Sequence, residues 1–461
     1  MKADYVEACS CHLFCACYFN KHAEHPSCNP GGRGVPRSYC PPIASERTSR
    51  PGRRIFSYNC GSTTVLDVFY ILAALQVLLG IYSLIDGVRW LKMARRRLGA
   101  HPGFYAPRVA VICPCKGLEP RLEENLAALL GFDYPNYEVF FALASAQDPA
   151  GDVLRRIAAR SKVPAQIVVA GPPEGCGEKV NNLRCAVEQL PGEFEVLVFA
   201  DSDGRPGRGW LRQMVAPLAD PREGALTTFR WYLPDRGGFA SALAAAWNAA
   251  IVTHLGEHSG NFCWGGGTAI RRKTFEEIRA LEFWSGSVSD DYSLTRALRH
   301  AGRRIVFAPE CLVPTLQDVD LAGLFAFTNR QFIITRVYAP RLWAAAALSH
   351  LLYCGTLLLG LGLALRAWIE GFTAMHIFLL AVTPALLAAA KGYLRLVAAG
   401  EMLAAWKRRL LDFGWAWTML APLVPFVYLV NSVVAAFTRQ IRWRGIRYLL
   451  VSPAQTRILS R

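Results

Sequence analysis

Apolar residues gather into a few long runs, and the stretch between them follows a different rhythm. Val65 to Ile85 is predominantly apolar and about long enough to cross a bilayer; Leu342–Leu365, Phe372–Leu394 and Phe413–Phe437 are three further candidates for membrane helices. Lys391 and Arg395 weaken the end of the second of these three. From about Arg108 to Pro314 short β-rich runs alternate with amphipathic stretches. Arg108–Cys113, Glu138–Ala142, Gln166–Val169, Val196–Ala200 and Ala225–Phe229 predict strands; Glu119–Leu130, Gly151–Arg160 and Lys179–Gln189 predict the helices between them. Such alternation implies an α/β domain with a mainly parallel sheet and helices on both faces, where ligands bind beyond the carboxyl ends of the strands. Asp318–Tyr338 places Phe325, Phe327, Phe332 and Ile333 at helical spacing, which suits a helix lying in the membrane interface or an ordinary packing helix.

Composition sharpens this division. Hydrophobic residues make up 52% of the 461 positions and the mean hydropathy is +0.21, an excess that collects in the long runs and so belongs in lipid. The net charge of +16 permits a nucleic-acid partner, but the basic residues form no continuous patch with interleaved aromatics. They cluster beside the apolar runs instead, as in Arg95, Arg96 and Arg97 or Lys407, Arg408 and Arg409. That is the pattern of cytoplasmic flanks, so an integral membrane protein with a cytoplasmic soluble domain is expected, and no nucleic acid. Four spans would carry the C-terminus to the opposite side, whereas the basic RQIRWRGIRYLLVSP tail argues for the cytoplasm. Pro422 and Pro425 allow a broken or re-entrant last segment.

Residues 1–61 hold seven of the fourteen cysteines and show neither helical nor strand periodicity, so they read as a disordered Cys/Pro-rich tail. The Cys9–Cys17 run with nearby histidines lacks the paired CxxC spacing of a zinc site. The expected division is therefore a tail over 1–61, a transmembrane helix with basic flank over 62–98 and a catalytic domain over 104–316. An interfacial amphipathic helix over 317–341, about three membrane segments over 342–438 and a basic tail over 439–461 complete it.

The chemistry concentrates at predicted strand ends. VLVFADSD, Val196–Asp203, is a buried strand closing on two carboxylates, Asp201 and Asp203, as a divalent metal beside a leaving diphosphate requires. CPCKGLEP follows the first strand and brings Lys116 and Glu119; QDPAGD follows the second and brings Asp148. EKVNNL opens a helix with Lys179 and Asn182, where a cation and a helix N-terminus both favour phosphate. SDDY, Ser289–Tyr292, opens another: Asp291 suits a proton acceptor, while Ser289 or Asp290 serves equally well as a helix cap.

Taken in order, CPCKG, FDYPNYEV, QDPAGD, EKVNNL, FADSD, GGGTAIRR and SDDYSLTRAL resemble the ceramide glucosyltransferase family, one of the inverting family 2-type glycosyltransferases of GT-A fold. The IRWRGIRYLL tail also looks like that family's C-terminal WRG-type segment, and the resemblance covers roughly Val65 to Tyr448. It implies a GT-A Rossmann-like mixed-sheet domain between an N-terminal transmembrane helix and C-terminal ones. It implies a UDP-sugar donor, UDP-glucose by preference, a lipid acceptor such as ceramide, membrane lipids as surroundings, and Mg2+ or Mn2+ at Asp201, with Asp203 added as a metal ligand by the DxD spacing alone. Residue by residue, it makes Asp291 the catalytic base and sets Lys116, Glu119, Asp148, Lys179, Asn182, Asp201 and Arg330 around the nucleotide sugar. Trp264, Gly266, Asp290 and Gln331 fall on the acceptor side. Two departures stand out: Asp203 occupies a position that is glycine in many members, and FTNRQFIITR lacks the tryptophan of the family's QxxRW motif, with Arg330 or Gln331 in the arginine's place. A polysaccharide synthase of the same superfamily and a catalytically inactive sugar-nucleotide sensor are the alternatives.

Overall fold

The computed structural model of the chain describes residues 60–99 and 103–461, so the expectations for the Cys/Pro-rich tail lie almost wholly outside the described residues. Among these, four helical segments are long and apolar enough to cross a membrane: Thr64–Leu98, Pro340–Ile369, Met375–Met402 and Gly414–Phe437. Val65, Ile71, Leu78 and Ile85 are exposed on the first, a surface that suits lipid. The last is broken, as its prolines allow: Gly414–Met419 and Val424–Phe437 are joined by a single 3₁₀ turn, Ala421–Leu423, around Pro422. The basic end of the first helix latches onto the rest of the fold, Arg95 to Glu401 at 2.6 Å, Arg97 to Glu310 at 2.9 Å, and Arg96 to Glu257.

The soluble domain is built on strands β1 (Val109–Pro114), β2 (Tyr137–Leu143), β3 (Ala165–Val169), β4 (Val196–Ala200), β5 (Glu223–Thr227), β6 (Arg230–Leu233), β7 (Gly267–Arg271), β8 (Arg304–Phe307) and β9 (Val313–Leu316). Seven of them form one sheet in the order β3-β2-β1-β4-β7-β5-β8. All pairings in it are parallel except those of β7, which runs antiparallel to both β4 and β5. Periodicity had marked β1 to β5 to within two or three residues; β7, read as a glycine-rich motif, and the short β8 went unmarked. Strands β1 and β4 lie side by side, Ile112 opposite Phe199, and every β4 residue is buried. The strand order reverses there, and the crevice beyond their carboxyl ends is where such sheets take ligands.

The sheet domain is bound into the membrane bundle by aromatic side chains. The apolar Phe239–Val252 helix, which the hydropathy runs did not single out, is buried on nearly all sides. Its Trp247 packs on Tyr428 at 5.2 Å and Phe327 at 5.7 Å, and the Tyr428 hydroxyl donates to the Trp247 carbonyl. The helix expected over 317–341 runs Leu321–Tyr338, its N-terminus capped by Asp320 accepting from the Gly323 amide. Its Leu324, Thr328, Phe332, Ile333, Ile334 and Tyr338 are buried between sheet domain and bundle. Residues 439–461, expected as a basic tail, are instead a three-stranded antiparallel sheet of β10 (Gln440–Trp443), β11 (Ile446–Ser452) and β12 (Gln455–Ser460). Burial alternates along β11, with Ile446, Tyr448 and Leu450 inside and Arg447, Leu449 and Val451 turned outward, a strand pattern hidden by the charge that dominates the composition of this segment.

Close approach within the bundle yields a test. A Cβ on Gly392 would collide with the Trp417 carbonyl, whereas one on Gly400, in the same helix, meets nothing. Gly392→Ala is expected to cost about 1–3 kcal/mol and lower the thermal midpoint of the solubilised protein. Gly400→Ala should leave it unchanged or raise it by a helix-propensity gain of up to about 1 kcal/mol. Equal midpoints for the two variants would refute this packing.

Candidate active site

Strand β4 delivers Asp201, Ser202 and Asp203 into the crevice, and β6 delivers a cation that motif reading missed. Arg230 donates to Asp201 Oδ2 at 2.7 Å and to Asp203 Oδ2 at 2.9 Å. Its guanidinium lies over Trp264 at 5.1 Å and beside Tyr232, whose hydroxyl accepts from it. Lys179, at the start of the Glu178–Glu188 helix, meets Asp201 Oδ1 at 2.8 Å and Asp290 at 3.3 Å. Burial alone would lower both cations; the Asp201 and Asp290 carboxylates outweigh it at Lys179, and Asp203, Tyr232 and Asp201 at Arg230, so both are held above their ordinary values. Asp201 runs the other way: burial works to raise it, and Lys179 and Arg230 hold it below the usual range. The only local signal for Arg230 was its place just beyond a predicted strand.

Asp290 and Asp291 open the Asp290–His300 helix behind the cap residue Ser289. They play different parts. Asp290 is buried against Lys179, and burial, opposed by Lys179 and supported by Asp291 and Asp201, pushes its carboxyl up to about 6. Asp291 is fixed at the cavity wall by the Ser289 hydroxyl and by the Tyr292 amide at 2.7 Å. Gly265 and Gly266 are where the chain comes closest: a Cβ on Gly266 would lie 2.6 Å from Asp201 Oδ2, and one on Gly265 would overlap Asp290.

The C-terminal sheet closes one side of the crevice. Arg444 and Gly445 form the two-residue turn between β10 and β11 with φ of 50° and 86°, a primed turn that costs a non-glycine residue strain and aims Arg444 inward. Arg444 pairs with Glu119, whose other oxygen accepts from Ser202 at 2.6 Å. Tyr448 Oη accepts from the Glu178 amide at the helix N-terminus. Trp443 stacks on Arg330 at 5.1 Å, with Phe327 at 5.4 Å from the same guanidinium. A tryptophan thus reaches the arginine at 330 from a different element than the QxxRW spacing would supply. Burial pushes Arg330 down to about 10, still cationic at neutral pH, and its Nε has no partner.

The remaining expected residues divide. Lys116 pairs with Glu178 at 2.7 Å and lines the cavity with Asn182, Trp264 and Gln331. Asp148 does not line it; one oxygen accepts from the Gly117 and Ala150 amides, fixing the loop after β1 in place. Four carboxylates (Asp201, Asp203, Asp290, Asp291) face two close cations (Lys179, Arg230), leaving a negative surplus, and the buried Asp203 Oδ1 has no partner. That surplus and orphaned oxygen fit a divalent ion. Among the described residues no group of three or more His, Cys, Asp or Glu forms a ready-made cage, so such an ion would draw ligands from a bound diphosphate and water, as Mg2+ commonly does.

One cavity of about 930 Å³ joins this crevice to the membrane bundle. Its upper wall includes Asp201, Asp291 and Arg330; its lower wall is Tyr353, Pro384, Leu387 and Val424, from three of the membrane-length segments. Between them sits His254, which burial, then Lys391 and Arg395, push down to about 3, so it is neutral at pH 7.

The profile of glycosyl transferase family 21 matches residues 68–455, and the chain belongs to that family. It is 25% identical over 229 residues to ceramide glucosyltransferase 1 of Caenorhabditis elegans, covering 49% of this chain and 48% of that protein. To the ceramide glucosyltransferase of Gibberella zeae it is 31% identical over 183 residues, covering 35% and 34%. The chain spans about half the length, or less, of these curated relatives. Among solved structures, a mannosyltransferase from Pyrobaculum calidifontis in complex with GDP-Man and Mn2+ aligns over 80% of this chain and 98% of that one, at 21% identity and a TM-score of 0.42.

Two tests follow from the site. An acid raised to about 6 favours folding most when protonated; that contribution is complete below the ordinary carboxylate range and is lost as pH climbs through about 6. Asp290→Asn, neutral throughout, should therefore flatten the fall in thermal midpoint between about pH 4 and about pH 7, and an unchanged slope would contradict the assignment. Arg444→Ala should raise the KM for the sugar donor about tenfold by releasing Glu119 and loosening the turn, with a smaller effect on kcat. Arg442→Ala, exposed in the same sheet, is the control; equal KM values in the two variants would remove the C-terminal sheet from the site.

Proposed function

We propose that the chain is a membrane-embedded inverting glycosyltransferase that moves glucose from UDP-glucose to the hydroxyl of a ceramide-like lipid on the cytoplasmic face. The observation that carries this reading is the continuous cavity leading from the carboxylate crevice into the membrane bundle, because a water-soluble acceptor needs no apolar lower half. The names of the relatives support ceramide and glucose. The basic end of the first helix, seated against the sheet domain, supports the cytoplasmic side.

In this reading the lipid tail lies among Tyr353, Pro384, Leu387 and Val424 and its hydroxyl reaches Asp291. The hydroxyl oxygen attacks the anomeric carbon from the face opposite the diphosphate, its proton passes to the Asp291 carboxylate, and the bond to the diphosphate breaks to release UDP. Ser289 and the Tyr292 amide keep that carboxylate oriented. Lys179, Arg330 and Lys116 face the diphosphate as fixed cations, and the Glu178–Glu188 helix turns its N-terminus toward it. A divalent ion, Mg2+ or Mn2+, held by Asp201 and Asp203 would supply further neutralisation of the leaving group.

Membranes containing the chain should convert radiolabelled UDP-glucose and ceramide to a glycolipid, and a chelator should abolish it. Asp291→Asn is expected to lower turnover about 10²- to 10⁴-fold with UDP binding retained. Product formed from diacylglycerol alone would shift the acceptor, a polymer would favour a synthase, and wild-type turnover by Asp291→Asn would remove the base.

A further inference from the structure

The lower half of the cavity is not simply apolar. Lys391 and Arg395 both line it, four residues apart on the Met375–Met402 helix and therefore on one face, with Cβ atoms about 5–6 Å apart. Like charges at that spacing repel, and Lys391 is only 5% exposed inside a membrane-length segment. The local partners do not balance them. Lys391 Nζ donates to Ser83 Oγ at 2.9 Å, and the closest carboxylate oxygen, on Asp86, is 3.9 Å away. Arg395 donates to Thr253 Oγ1 at 3.2 Å, while its Nε is buried with no partner. The other ionisable groups beside them on the wall, His254 and His350, add no negative charge, and the Tyr428 hydroxyl is spent on the Trp247 carbonyl.

Two cations kept at membrane depth at a cost of some kcal/mol mark a binding function by default. Lys391 lies eleven residues before the helix end at Met402, about 17 Å along the axis, and Arg395 seven, about 10 Å, so both fall inside the membrane-length segment with Arg395 nearer its end. We propose that Lys391 and Arg395 form an oxyanion site in the membrane-side half of the cavity, occupied by the phosphate of an anionic lipid. A free phosphate would satisfy the same donors, but the surrounding Tyr353, Pro384 and Leu387 favour one that carries acyl chains. This site is separate from the Lys179–Arg230 crevice and does not depend on which sugar the crevice serves, but it shares the lower wall with the acceptor tail of the proposed function, so the two lipids compete for that space.

The test uses the full chain in phosphatidylcholine nanodiscs doped with phosphatidylglycerol, with retained lipid counted by native mass spectrometry after release. Wild type should keep phosphatidylglycerol over phosphatidylcholine by about tenfold or more. Lys391→Gln with Arg395→Gln should lose that preference, Lys391→Arg should keep it, and Arg408→Gln, an exposed flank residue, should not change it. Thermal midpoints of the variants confirm that the fold is retained. Inorganic phosphate, added in place of phosphatidylglycerol, separates the two sources: protection of the midpoint by phosphate alone, absent in the double variant, would keep the oxyanion site and reassign its ligand to a free ion. No preference in wild type and no phosphate protection, or a preference unchanged in the folded double variant, would overturn the proposal.

Discussion

The carboxylate of Asp201 accepts from Lys179 on one oxygen and from Arg230 on the other, and the rest of the crevice is arranged around that pairing. A buried carboxylate is costly unless it is both paired and hydrogen-bonded. Satisfying it brings together two separate elements, the helix after β3 and the strand β6. Lys179 then draws in Asp290, and Arg230 draws in Asp203, Tyr232 and the face of Trp264. Gly265 and Gly266 are the space that this crowding demands. The result is a charge-dense pocket whose charged groups are set before any ligand arrives, the condition under which fixed charges act on a developing anion without reorganising.

The membrane bundle completes that pocket as well as anchoring it. Arg330 comes from the Leu321–Tyr338 helix, which is packed between sheet domain and bundle, and Trp443 reaches it from the last sheet after the chain has passed through the last membrane-length segment. Glu119 bridges the metal-type motif at Ser202 to Arg444 of the same last sheet. The upper cavity is therefore made by both ends of the chain, and its continuity with the lower half follows from that construction.

Much of this was legible before the structure. Buried strands at Val109–Pro114 and Val196–Ala200 are continuous apolar runs, and the carboxylates that follow them stand out because strand ends in such sheets face ligands. The membrane-length segments were equally plain, and the break at Pro422 was one of the forms its prolines allow. Three things were hidden for physical reasons. Arg230 lies in a four-residue strand too short for periodicity, and its meaning depends on partners 27 and 29 residues away. Asp148 matches a nucleotide position by motif, and one of its carboxylate oxygens accepts from the Gly117 and Ala150 amides, a loop bond that sequence spacing does not reveal. The C-terminal sheet was masked by its charge, although Arg444-Gly445 between alternating runs is a hairpin signal of the Asn-Gly kind.

The central claim is that a lipid enters the bundle side of the cavity while its hydroxyl meets Asp291. Photo-cross-linking of the full chain with a ceramide carrying a diazirine on its acyl chain tests this most directly. The account predicts labelling of cavity-lining residues such as Tyr353, Pro384, Leu387 and Val424, suppressed by unlabelled ceramide. Labelling confined to outward-facing residues such as Leu348, Leu351 and Leu386, and unaffected by competitor, would contradict it.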